Sequence, residues 1–306
     1  MTLWAITSYF NPAGFASRLS NFRIFRERTN VPLVVAEASF NGEFQLEPPD
    51  ADILIQVHGD VMWQKERLLN VALDALPSEC DAVAWLDCDV VFERPDWAER
   101  AKKLLGSYVL VQPFRYAYDL ARGELPESVG ELQTACRDSI AYQHQAGLLT
   151  PADIRPWKLG GQKHLCDGFA WMARRELLEK HRFYDVRILG GGARDLACAA
   201  LGDVDLLFEG RPFTPAQVAH LRAWATPFAE EVRGRLSYVD GRAYHLWHGS
   251  YEDRRWRTRQ NELLKFDFDP ASDIALGSDG GWRWSSDKKD MHAYVAQYFR
   301  LRREDG

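Results

Sequence analysis

The chain has 306 residues, of which 27% are charged and 46% hydrophobic, and it carries a net charge of −6. That length accommodates one large α/β domain or two modest ones around a sizeable core, and the composition excludes a disordered or collagen-like polymer. The acidic balance gives no global attraction to phosphate backbones and lowers the expectation of a nucleic-acid binder without removing a local basic groove.

Taken in chain order, Leu3 to Thr7 is a short apolar run that leads into Ser8-Tyr9-Phe10-Asn11-Pro12. From Phe15 to Phe25 the apolar residues recur at helical spacing, so the start reads strand, loop, helix. Pro32 to Glu37 and Ile53 to Val57 are further strand-like runs, and Gln64 to Leu76 sets Leu68, Leu69, Ala72 and Leu76 on one helical face. Ala82-Val83-Ala84-Trp85-Leu86 then reads as a buried strand that stops at two aspartates. Asp96 to Leu105 predicts a helix and Tyr108 to Gln112 a strand, followed by an excursion over 113–163 with a helix around Glu131 to Gln145. Gly168 to Ala173 predicts a strand, and Arg174 to His181, Ala193 to Leu201 and Pro215 to Phe228 predict helices. A last helix is expected near Asp290 to Arg300. Strands alternating with helices imply an α/β fold with a mostly parallel central sheet flanked by helices, in which ligands gather at the carboxyl ends of strands.

No apolar run approaches the roughly 18 to 20 residues that cross a bilayer. Met1-Thr2-Leu3-Trp4 lacks the regions of a secretory signal, so a cytoplasmic protein with no transmembrane segment is expected. The five cysteines, at wide spacings and with no Cys-x-x-Cys pair, suggest neither a disulfide framework nor a zinc ribbon.

The strongest chemical feature is Asp87-Cys88-Asp89, set between apolar strand segments. Two carboxylates one residue apart in an extended chain point the same way and can share a hard cation, and an acidic pair in apolar surroundings is costly unless something pairs with it. Tyr244-His245-Leu246-Trp247-His248-Gly249 offers two imidazoles three residues apart, competent ligands for manganese or a similar ion. Gly190-Gly191-Gly192-Ala193-Arg194-Asp195 is a glycine turn that feeds a helix, and Asp195 reads equally as a helix-dipole carboxylate or as a general base. Thr7, Ser8, Tyr9 and Asn11 of the first loop, with Arg18, Lys65 and Asn70, sit where strand ends should gather and are candidates for nucleotide contacts. Arg254 is a candidate for neutralising a diphosphate, and Trp171 and Trp247 are candidates for stacking on a sugar.

The order of these motifs, Thr-Ser-Tyr-Phe-Asn, the Lys65-to-Asn70 helix, Trp-Leu-Asp-Cys-Asp, Asp167-Gly168-Phe169-Ala170-Trp171, the glycine turn with Asp195 and His-Leu-Trp-His-Gly, resembles the GT-A glycosyltransferases. The layout is similar to the family 2 enzymes and to the metal-dependent galactosyltransferase group, over roughly residues 3 to 260. The resemblance implies that Asp87 and Asp89 form a DxD motif binding Mn2+ or Mg2+ and the diphosphate of a nucleotide sugar. It implies His245 or His248 as further metal ligands and Asp195 as the base. In those families an acidic pair usually stands at the base segment, whereas Arg194 precedes Asp195 here, so Asp167 is an alternative base. The implied organisation is one catalytic domain over 1–265, with a nucleotide-sugar half at 1–112 and an acceptor half at 113–265, then a C-terminal extension at 266–306.

The expected reaction is sugar transfer from a nucleotide donor, UDP above all, to an acceptor hydroxyl, and the resemblance implies inversion. The acceptor is open between a carbohydrate, a lipid-linked sugar, a protein and a hydroxymethylpyrimidine in DNA. A sugar nucleotidyltransferase and a non-catalytic nucleotide-sugar binder are the rival readings.

Overall fold

A computed structural model describes residues 1–129, 136–149, 153, 165–209, 212–255 and 258–306. The strands are β1 (Leu3–Phe10), β2 (Leu33–Ser39), β3 (Ile53–His58), β4 (Ala82–Leu86), β5 (Val90–Phe92), β6 (Leu110–Gln112), β7 (Tyr116–Asp119), β8 (Cys136–Ser139), β9 (Leu165–Cys166), β10 (Ala170–Arg174), β11 (Leu236–Tyr238), β12 (Arg242–His245), β13 (Ile274–Leu276) and β14 (Trp282–Trp284). The helices are α1 (Ala16–Arg28), α2 (Lys65–Asp74), α3 (Trp97–Leu104), α4 (Ile140–Gln145), α5 (Arg175–His181), α6 (Gly192–Ala200), α7 (Pro215–Val232), α8 (Arg259–Leu263) and α9 (Lys289–Leu301).

Seven strands form the central sheet in the order β11-β6-β10-β4-β1-β2-β3. β4, β1, β2 and β3 run parallel, while β10 lies antiparallel between β4 and β6. Helices cover both faces, which is why β1, β2 and β4 read as unbroken apolar runs rather than alternating ones. Ile6, Val34 and Trp85 face a core shared with Leu68 of α2, Ala197 of α6 and Phe228 of α7. Ala5, Val35 and Ala84 face the opposite core, built on Phe22 and Phe25 of α1 and Trp97 of α3. The expected fold class, a large central sheet flanked by helices, is the observed one.

A second sheet, in the order β5-β12-β7-β8-β9, stands beside the first. The chain crosses from one sheet to the other between β4 and β5, and the three residues of that crossing are Asp87, Cys88 and Asp89. The helix expected around Glu131 to Gln145 needs correction: 136–139 is strand β8, paired antiparallel with β7, and only 140–145 is helical. Residues 131–135 lie outside the described residues, as do 150–152 and 154–164 of the expected acceptor-side excursion. Residues 266–306 do not stand apart from the rest. Phe268, Ile274, Met291, Val295 and Phe299 belong to the same core as Leu68 and Leu196. Among the described residues no helix is long and apolar enough to cross a membrane, and the five cysteines form no disulfide.

Candidate metal centre

The Asp87–Asp89 segment is a turn rather than an extended strand, closed by the Val90 amide donating to Asp87 O at 3.2 Å. Its two carboxylates therefore diverge, which corrects the expectation that they point the same way. Asp87 pairs with Lys65 at the start of α2. Burial opposes the charge on Lys65, but Asp87 overcomes it and raises the ammonium above its usual range. Asp89 turns toward the second sheet, where its Oδ1 lies 3.5 Å from His245 Nε2 and its Oδ2 lies 3.3 Å from His248 Nε2. The two Nε2 atoms are 3.1 Å apart.

Asp89, His245 and His248 are all buried, and among the described residues they are the cluster able to hold a metal ion. His245 ends β12, in register with Val90 of β5 on one side and Asp119 of β7 on the other. Its Nδ1 lies 3.2 Å from Asp119 Oδ1, and Asp119 is also bound by Arg137 Nη2 at 2.9 Å. Burial opposes the charge on Asp119, but His245 and Arg137 hold the carboxyl well below the usual range. The Nδ1 of His248 lies 3.3 Å from Glu304 Oε1. Arg18 and Arg302 likewise overcome burial to keep the Glu304 carboxyl ionised.

This donor set fits a divalent cation. Each histidine sets its Nδ1 against its own carboxylate and its Nε2 toward its neighbour and Asp89, and a proton on Nδ1 leaves the Nε2 lone pair for a cation. The two Nε2 atoms meet at 3.1 Å, beside a buried Asp89 Oδ1 that no hydrogen bond reaches. Ligand atoms bound about 2.1 Å from one ion lie roughly 3.0–3.4 Å from each other; the two Nε2 atoms are 3.1 Å apart, and each lies 3.3–3.5 Å from one of the two Asp89 oxygens. Burial first, and then the Arg254 charge, lower the His248 imidazole to about 3, so it is neutral and available as a ligand across the physiological range.

A positive wall adjoins the cluster. Arg254 donates to Gly249 O at 3.2 Å, and its buried Nε has no hydrogen-bond partner. Arg259 and Arg302 both lie against the Tyr298 and Trp63 rings. Burial would raise the Tyr298 hydroxyl, but these two guanidiniums overcome it and bring it below its usual range.

The other anticipated residues divide. Thr7 is fully buried and donates to Leu86 O at 2.7 Å, tying the ends of β1 and β4 together. Ser8 is buried, Tyr9 donates to Gln45 Oε1 at 2.7 Å, and Asn11 is bonded to the backbone of Phe15 in both directions. Arg18 reaches the cluster through Glu304, with Nε 2.5 Å from Oε2. Asn70 is 2% exposed and clamps Phe183 and Asp185, a packing role that corrects its expected nucleotide contact. Trp171 is also corrected: it is 1% exposed, opposite Trp85 in the central sheet, with its indole N–H on Asp167 O. Trp247 is half-buried, with Arg122 over its ring.

Asp195 lies in the first turn of α6 and is fully buried, with both oxygens bound by Arg187 at 2.6 and 3.0 Å. In this arrangement no acceptor hydroxyl reaches it, which fits the helix-dipole reading of Asp195 rather than the general-base one. Asp167 is more accessible and pairs with Arg194 at 3.2 Å. A Cβ on Gly168 beside it would sit 4.0 Å from Asp87 Oδ2.

Three residues at the site escape a reading from sequence. Asp119 and Glu304 are ordinary carboxylates distant in sequence from the histidines, with no local signal. Phe169 has a φ of 70°, unusual for a bulky residue. That turn lets its carbonyl accept the Asp87 amide at 2.7 Å and stacks its ring on His245 with centroids 4.8 Å apart.

No family model matches the chain, and no curated protein does. Among solved structures it is similar to S. aureus TarS 1–349 in complex with UDP-GlcNAc, with 12% identity over 89% of this chain and 69% of that one and a TM-score of 0.40. It is similar to the glucosyl-3-phosphoglycerate synthase of Mycobacterium tuberculosis in complex with Mn2+ and UDP-glucose, with 15% identity over 92% and 86% and a TM-score of 0.41. It is also similar to the mannosyltransferase PcManGT of Pyrobaculum calidifontis in complex with GDP-mannose and Mn2+, with 17% identity over 76% and 73% and a TM-score of 0.33.

Proposed function

We propose that the protein is a metal-dependent glycosyltransferase that moves a sugar from a nucleotide donor, with UDP as the nucleotide, to an acceptor hydroxyl. The observation that carries the reading is the convergence of the buried Asp89 carboxylate and two imidazole Nε2 atoms, each imidazole backed by its own carboxylate. Asp89, His245 and His248 would hold Mn2+ or Mg2+. When bound, the ion acts as a Lewis acid that stabilises charge on the departing nucleotide diphosphate.

The protein's own groups do the rest. Lys65, paired with Asp87, and Arg254, whose Nε lacks a partner, bind the diphosphate oxygens from two sides. Asp167 takes the proton from the acceptor hydroxyl as it attacks the anomeric carbon, giving displacement with inversion. Arg194, 3.2 Å from its Oδ2, fixes the position of the Asp167 carboxylate. The half-buried Trp247 offers an aromatic edge near the cluster.

The test is a donor screen by nucleotide release, with and without Mn2+, on wild type and Asp89→Ala. The reading expects Mn2+-dependent release from at least one nucleotide sugar, abolished in the variant. Full metal-dependent turnover by Asp89→Ala would show the assignment to be wrong. Metal-independent UDP binding with no donor consumed would favour the non-catalytic binder.

A further inference from the structure

Residues 302–306 follow α9 and run along the wall of the Asp89 cluster. Glu304 is fully buried there. Arg18 binds it twice, Nε to Oε2 at 2.5 Å and Nη2 to Oε1 at 3.1 Å, and Arg302 Nε binds Oε1 at 2.5 Å. The same Oε1 stands 3.3 Å from His248 Nδ1. A carboxylate gripped by two guanidiniums is a fixed acceptor, so Glu304 offers His248 a partner for a proton on Nδ1, and with the proton there the Nε2 lone pair faces Asp89.

The backbone around Glu304 is built to hold that contact. Asp305 caps the start of α1 by accepting the Ala16 and Ser17 amides at 3.1 and 2.8 Å, and the Ser17 hydroxyl donates to Glu304 O at 2.8 Å. On the opposite side, Gly249 has a φ of +93°, and a Cβ there would sit 2.7 Å from Arg302 O. Only glycine lets the loop that carries His248 approach this segment so closely. Asp119 makes the matching contact to His245 from the neighbouring strand.

We propose that Glu304 is the positioning residue of the cation site: locked between Arg18 and Arg302, it takes the Nδ1–H of His248 and turns Nε2 toward Asp89. The proposal rests on the cation reading above and adds to it a residue that reaches the site only through folding. A carboxylate behind a ligating histidine fixes its tautomer and raises its basicity, and removal of such a partner typically weakens metal binding about 10- to 100-fold.

Two measurements on the full chain test it. The first is Mn2+ affinity by electron paramagnetic resonance for wild type and Glu304→Gln, at a temperature where both show a folded circular-dichroism spectrum. The expected result is about a 10- to 100-fold weaker dissociation constant in the variant. A merely structural role would lower the melting temperature of the metal-free protein and leave the affinity of the folded variant unchanged, and an affinity within about twofold of wild type would overturn the proposal. The second measurement needs no variant to fold: long-range 1H–15N spectra of the metal-free wild type should show His248 protonated at Nδ1. Protonation at Nε2 alone would overturn the role of Glu304 even if Mn2+ binds. Failure of the wild type to bind Mn2+ would instead overturn the cation reading itself, with the His248 tautomer still reporting on the Glu304 contact.

Discussion

Arg187 grips both carboxylate oxygens of Asp195, at 2.6 and 3.0 Å, in a spot where Asp195 has no exposed surface. The pair joins the loop before the glycine turn to the first turn of α6, and the guanidinium also lies 4.3 Å from the centre of the Phe213 ring. Removing one partner strands a buried charge, which costs about 3–5 kcal/mol. Asp195→Ala is therefore expected to lose stability on that scale in urea denaturation, and Asp195→Asn to lose a large part of it. An Asp195→Asn protein with the wild-type midpoint and greatly reduced turnover would return Asp195 to the role of base.

The divergence of Asp87 from Asp89 predicts that the two aspartates separate experimentally. Ligand binding to the folded state alone stabilises it by about 2.7 kcal/mol at a hundred times the dissociation constant. Saturating Mn2+ should raise the melting temperature of wild type accordingly, and EDTA should reverse the shift. Asp89→Ala should show no shift. Asp87→Asn, which keeps the three convergent ligands, should retain the shift while binding nucleotide more weakly. Equal loss of the shift in both variants would mean that the turn between β4 and β5 rearranges to bring Asp87 onto the ion.

Asp167 should behave as a group that acts on the reacting atoms. Asp167→Asn keeps its shape but cannot take a proton, so kcat should fall by about 10²- to 10⁴-fold with the Mn2+-induced melting shift unchanged. Arg194→Met, which frees Asp167 from its ion pair, should lower kcat by leaving the carboxylate without the contact that positions it, again with the Mn2+-induced melting shift unchanged. A wild-type kcat in Asp167→Asn would exclude it as the base.

Much of the central sheet is legible in sequence because its strands are buried on both faces and so become continuous apolar runs. The second sheet is not. β7 reads Tyr-Ala-Tyr-Asp and β8 reads Cys-Arg-Asp-Ser, and neither four-residue stretch carries a strand signal apart from the neighbour it pairs with. The same division runs through the site. Asp89, His245 and His248 are recognisable by residue type and local motif, whereas the carboxylates behind the histidines come from β7 and from the segment after α9. Lone aspartates and glutamates on polar stretches carry no mark of what they will touch. Trp171 and Asn70 mislead for the opposite reason: their residue types suit a ligand, and burial puts them to packing.

Glu66 in α2 supplies a pH-dependent prediction. It is 7% exposed, and its carboxyl occupies the space that a Cβ on Gly192 would enter, only 2.4 Å from Oε1. Burial pushes the carboxyl up to about 7 against the opposing pull of Lys65, from an ordinary value of 4.5. Between those values the unfolded chain has lost the proton while the folded chain keeps it. Folding therefore takes up a proton, and this group's contribution to stability falls as pH rises from about 4.5 to 7 and stays flat above that. At 1.36 kcal/mol per unit the full loss is on the order of 3 kcal/mol. Glu66→Gln, which keeps the shape and removes the charge, should be more stable than wild type by about that amount at pH 8 and equal to it at pH 4. Gly192→Ala should destabilise by about 1–3 kcal/mol, and Glu66→Ala in the same chain should recover most of the loss by vacating the contested space. Urea midpoints of the four proteins at the two pH values decide the matter. A Glu66→Gln difference that did not change with pH would mean that Glu66 titrates as an ordinary carboxylate.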